Sequence, residues 1–102
     1  MEKIKLETIL EVSDDIVARE IEGELIIIPL VAGIGDLEDE LFTLNETGKA
    51  IWKQIDGRTS LETIVTHLAD EYAADQDVIR HDVLGLVTEL TRRRMLVPVA
   101  EL

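Results

Sequence analysis

Residues 44–64 read LNETGKAIWKQIDGRTSLETI, and the punctuation of that stretch decides the fold. Asn45 is a natural helix N-cap, because its side-chain oxygen can accept from the first free N–H groups. The residues after it place Ala50, Ile51, Trp52 and Ile55 on a helix, with Ile51 and Ile55 one turn apart. Asp56-Gly57 ends that helix, the glycine being free to adopt a left-handed conformation. Thr59 and Glu62 then form a capping box for a second helix. That helix carries Leu61, Ile64, Val65, Leu68 and Tyr72 on one face, at spacings of three and four. Two helices joined by the tight Asp56-Gly57-Arg58 turn are a helix-turn-helix unit.

Towards the C-terminus, Asp75 or Asp77 caps a third helix with the stripe Ile79, Val83, Leu86, Val87 and Leu90. It runs through Arg94 and stops near Pro98, which cannot continue it. Met95-Leu96-Val97 follows as a short strand or an extended tail. Towards the N-terminus, Leu41-Phe42-Thr43-Leu44 reads as a short third strand, preceded by a loop over residues 31–40 with two glycines and four acids. Ile16–Ile21 and Leu25–Leu30 around Glu22-Gly23 read as a hairpin. Pro29 belongs near a strand end or on an edge. Residues 4–12 have no clean period and could be a first strand or a loosely packed arm. The expectation is a single α+β domain over residues 1–102, with residues 1–13 as that strand or arm. Its architecture is a winged helix-turn-helix: an N-terminal β-hairpin plus third strand followed by a three-helix bundle.

Composition narrows the function. A chain of 102 residues with 46% apolar residues can bury a core without staples. Trp52, Tyr72 and Phe42 are its only aromatics, so the core is aliphatic. There is no cysteine, which removes disulfides, thiolate metal sites and cysteine nucleophiles. The net charge of -12 repels phosphate backbones and anionic lipid, so neither nucleic acid nor membrane is an expected partner. The one basic cluster, Arg92-Arg93-Arg94, suits the last turn of a helix, where cations complement the dipole. The start lacks the apolar run of a signal peptide, and the most apolar stretch, Leu25 to Ala32, is too short to span a bilayer. A cytoplasmic protein is expected.

No constellation supports an enzyme. His67 and His81 fall on different helices beside the apolar stripes and read as solvated residues. Asp36, Glu38, Asp39 and Glu40 lack the ligand order of a calcium loop. Gly33-Ile34-Gly35 lacks the third glycine of a phosphate-binding fingerprint. No catalytic residue, metal or cofactor is expected. Two surfaces could bind. The third strand lies between a polar loop and a helix, so one of its edges can be open to another strand. On the third helix, Leu84 falls off the core stripe, with Thr88 and Thr91 near it and Arg80 and Val87 between. The opposite flank, around Val78, Asp82 and Glu89, is the alternative.

From Val17 to Val97 the sequence resembles the pyrroloquinoline-quinone (PQQ) biosynthesis protein D (PqqD) family and the wider class of peptide-recognition elements of ribosomal peptide (RiPP) modification. The resemblance rests on Leu44–Trp52, Ile55-Asp56-Gly57, Thr59–Ile64 and the helix from Asp77 to Leu96 with its closing Met95-Leu96-Val97. It implies a winged helix-turn-helix that binds the leader of a precursor peptide and presents it to a modifying enzyme, often a radical S-adenosylmethionine (radical SAM) protein. The peptide would add as a strand beside Leu41, Phe42, Thr43 and Leu44 and lie on the third helix. The residues expected there are Arg80, Val83, Leu84, Val87, Thr91 and Arg94, with Arg80 or Arg94 meeting an acidic leader residue. The segment Leu25–Glu40, with Val31–Asp36 inserted, is longer than the quinone-pathway pattern. A winged-helix DNA-binding regulator is the competing reading. Against it, Leu61 to Tyr72 contains no lysine or arginine.

Overall fold

Glu22 and Gly23 both have positive φ, 52° and 84°, in the computed structural model, which describes residues 4–30 and 42–99. Two such residues give the primed turn whose twist matches that of paired strands. They join β2 (Ile16–Ile21) to β3 (Glu24–Pro29), antiparallel from Ile16 opposite Pro29 to Ile21 opposite Glu24. Pro29 closes its strand, as expected. The third strand of this sheet is β4 (Phe42–Leu44), which pairs antiparallel with β3 and sets Leu44 opposite Leu25 and Thr43 opposite Ile26. The order is β2-β3-β4, so β4 lies at an edge.

A second, two-stranded sheet resolves both open readings at the ends of the fold. β1 (Leu10–Val12) pairs antiparallel with β5 (Leu96–Pro98). The residues before β1 are not a loose arm. The carbonyls of Leu6 and Thr8 accept from the N–H groups of Glu62 and Leu61, and the Leu10 carbonyl accepts from Gly57 N–H. They thereby satisfy donors that the start of a helix leaves free.

Three helices complete the fold: α1 (Glu46–Gln54), α2 (Leu61–Glu71) and α3 (Gln76–Arg92). Asn45 caps α1, its side-chain oxygen accepting from Gly48 N–H at 2.8 Å. Gly48 suits the close packing there, since a Cβ would stand 3.2 Å from the Leu44 side chain and force it to shift. After α1 the chain extends through Ile55 and turns at Gly57, where φ is +78°. The expected Thr59–Glu62 capping box shifts by one residue. Asp56 takes both the Thr59 N–H and hydroxyl, leaving Ser60 to cap α2 by accepting from Thr63 N–H. Asp75 caps α3, and the helix ends two residues earlier than Arg94, which has φ +64°.

The buried core joins both sheets and all helices through Leu10, Ile27, Ile51, Leu61, Ile64, Leu90, Met95 and Leu96. Trp52 is buried, as the helix spacing predicts. Tyr72 is not: it is 53% exposed. It is the C-cap residue of α2, past the last buried turn at Leu68 and Ala69. Lys49 reaches from α1 to the Gly23 carbonyl at 2.8 Å and to Glu20, anchoring α1 to the hairpin tip.

Candidate functional site

β4 is three residues long and is held in place by β3. Leu44 is buried opposite Leu25 and fixes the strand's inward face, while Thr43 is exposed. Among the described residues β4 is hydrogen-bonded to β3 alone, so its other edge offers backbone donors and acceptors. At that edge the Arg93 guanidinium lies over the Phe42 ring, 4.9 Å from its centroid. Arg93 also donates to the Glu89 carboxylate at 2.9 Å, and Arg92 donates to the same oxygen. These donors, Arg92 foremost, hold the Glu89 carboxyl below the usual carboxylate range.

Beyond β4 a cleft of about 440 Å³ opens between the start of α1 and one face of α3. Asn45, Thr47, Gly48 and Ile51 form one wall; Asp82, Gly85, Leu86 and Glu89 form the other. The α3 residues recur at three and four positions, the period of a single helix face. A smaller cleft of about 260 Å³ continues past Thr47, Ile51 and Asp82 towards Ala50, Leu68, Tyr72 and Ile79. Beside it Val78 is exposed. The surface thus runs from a strand edge, past a helix N-terminus, along α3, with an apolar floor and a polar rim.

The expected site residues divide. Phe42 and Thr43 lie on the β4 edge, and Leu44 supplies its buried side. Leu41 lies outside the described residues. Val83 and Val87 are fully buried, so they belong to the core and not to a ligand-facing flank. Both fall within the arc of Ile79 and Leu90, and a helix turned inward along that arc hides them. Leu84 is half-buried against the core, Arg80 pairs with Asp77 at 2.6 Å, and the Thr91 hydroxyl is buried without a partner among the described residues. Arg94 is exposed beyond the helix end. None of these four lines the cleft. Its α3 wall includes Asp82 and Glu89 of the alternative flank. Gly85 and Leu86 escaped the sequence reading, Leu86 because its spacing placed it in the core stripe. It is only half-buried.

Among the described residues no cluster of three or more His, Asp or Glu could hold a metal, and no helix is long and apolar enough to cross a membrane. His67 and His81 are both exposed. The acidic cluster at 36–40 and Gly33-Ile34-Gly35 lie outside the described residues.

Comparison with known proteins places this geometry. A curated relative, the PqqA binding protein of Gluconobacter oxydans (strain 621H), is 34% identical over 58 residues, which span 57% of this chain and 60% of that protein. The structure of TbiB1 in complex with the TbiA(beta) leader peptide superposes with a TM-score of 0.71 at 23% identity, covering 89% of this chain and 99% of TbiB1. The solution structure of the PqqD truncation of Methylobacterium extorquens PqqCD, a stand-alone RiPP recognition element, gives 0.72 at 22% identity, covering 93% and 95%. At these identities the two structures establish the shared α+β fold. The family described as coenzyme PQQ synthesis protein D (PqqD) matches residues 31–96, and the chain belongs to that family.

Proposed function

We propose that this chain is a non-catalytic recognition domain that binds the leader of a ribosomally made precursor peptide. It then presents that peptide to a modifying enzyme, of radical SAM type in a PQQ-like pathway or another enzyme of RiPP maturation. The observation that carries the reading is the β4 edge, unpaired among the described residues, beside a cleft along α3. A peptide strand added there would gain main-chain hydrogen bonds from β4 and side-chain pockets from the cleft. The relatives support it: one is named for binding PqqA, one was solved with a leader peptide, and one is described as a recognition element. The cleft favours the Asp82–Glu89 flank of α3 over the Arg80–Leu84–Thr91 flank. α2 and α3 argue against a DNA-binding role. α2 has no lysine or arginine, and on α3 Arg80 and Arg92 pair with Asp77 and Glu89.

The test is to titrate isotope-labelled protein with synthetic peptides encoded beside its gene, and separately with random duplex DNA at low salt. Amide shifts in Phe42–Leu44 and Gly85–Glu89 on adding one of those peptides are expected. Arg80→Glu should leave the affinity intact, whereas Asp82→Lys should change it. Shifts confined to the Arg80–Leu84–Thr91 flank would move the site. Tight binding of DNA, lost steeply as salt is added, would replace the reading altogether.

A further inference from the structure

Among the described residues nothing requires a glycine at position 85 in the free protein. It sits in the interior of α3, on an exposed face, where glycine is the least favoured residue after proline. Its backbone is helical, so no left-handed conformation demands it. A Cβ built on it meets no heavy atom of the described residues within 4 Å, whereas one on Gly48 across the cleft would press on Leu44. Helix packing therefore accounts for Gly48 and leaves Gly85 unexplained. The space above Gly85 is the cleft itself, floored by Ile51 and Leu86. One turn earlier Asp82 stands on the rim of both clefts, with no hydrogen bond or ion pair among the described residues. The other acid of that wall, Glu89, is already engaged by Arg92 and Arg93.

Resting on the peptide-binding reading, we infer that Gly85 is a specificity-determining notch. It lets the bound peptide press a bulky apolar side chain against the backbone of α3, while Asp82 receives a lysine or arginine of the same peptide. Charge complementarity commits the occupant: a chain of net charge -12 whose free rim group is a carboxylate selects a cationic segment. A glycine kept against helix propensity is explained when a ligand must approach the backbone closely.

The experiment selects binders from a random peptide library displayed on phage, using wild-type protein, Gly85→Ala, Gly85→Leu and Asp82→Lys. Wild-type protein should enrich sequences pairing a bulky apolar residue with a nearby Lys or Arg. Gly85→Ala should raise the Tm of the free protein by about 4 °C, because it removes a helix-breaking residue, yet bind the enriched peptide more weakly. Gly85→Leu should weaken it roughly ten- to a hundredfold by filling the notch. Asp82→Lys should abolish the preference for cationic residues. A stabilised Gly85→Ala that binds with unchanged affinity overturns the notch, even if Gly85→Leu fails to fold. Unchanged selection by Asp82→Lys overturns the charge assignment. Enrichment of nothing by wild-type protein instead removes the peptide-binding reading on which both rest.

Discussion

The Arg93 guanidinium stacks 4.9 Å from the centre of the Phe42 ring, tying the end of α3 to the edge strand β4. The contact joins the strand edge to the end of the helix whose face lines the cleft. Arg93→Lys keeps the charge and loses the planar stacking. The ring contact should account for about 0.5–1 kcal/mol. Urea denaturation of Arg93→Lys beside Phe42→Leu and the double variant measures it. Strictly additive losses would show that the two side chains are not coupled.

Trp52 is the only tryptophan, and it is buried in α1. Trp52→Ala should lower stability by roughly 3–5 kcal/mol through the cavity it leaves. That is a large part of what a domain this size possesses. An unchanged melting temperature would contradict the burial.

Glu22 occupies the first central position of the hairpin turn at φ 52°, a region side chains other than Gly, Asn and Asp enter at an energetic cost. Glu22→Asn should relieve that strain and stabilise the protein by about 0.5–1 kcal/mol. Thermal melts settle the sign, and a lower Tm would mean that the glutamate side chain makes a compensating interaction.

Lowering the pH should first help the protein and then harm it. Protonating surface carboxylates relieves the repulsion of a net charge of -12. Glu89 works the other way. Its folded-state pKa is depressed, by the Arg92 hydrogen bond and then by Arg93. The stability it contributes is therefore fully present above its unfolded value near 4.5 and is lost as pH falls through the lower folded value. Glu20, held down by Lys49 and Lys53, and Asp56, held down by the N–H groups of Arg58 and Thr59, act in the same sense. Melting curves between about pH 6 and pH 3 for wild-type protein and Glu89→Gln should converge at the acid end. Parallel curves would mean that the Arg92–Glu89 interaction is too solvated to matter.

The fold was legible wherever a local signal also settled the tertiary outcome. Glu22-Gly23 set the hairpin, Asn45 and Asp75 set the starts of two helices, and Trp52 followed from its spacing with Ile51 and Ile55. Where two local partners compete, the sequence misleads. Thr59 looks like a cap until Asp56 claims its hydroxyl. The burial of single residues on α3 is hard to foresee for a related reason. A spacing of three and four puts Leu86 in the stripe and makes Leu84 look exposed, but the half-burial of each depends on what packs beside α3. The pairing of β1 with β5 is also invisible locally, because neither segment carries an alternation long enough to show a period. Gly85 carries a signal of its own in the sequence, a glycine in the middle of α3.

Nearly the whole described chain lies between Leu10 and Pro98, which face each other across the β1–β5 pair. Closing so long a loop pays off only after its ends have been brought together, so this pair is the slowest contact for the chain to acquire. It should be absent from the folding transition state. Substitutions that weaken the pairing, such as Val12→Ala, should then accelerate unfolding and leave the folding rate almost unchanged. On that expectation the lifetime of the native protein, as distinct from the speed of its formation, responds to the seam where β1 and β5 meet.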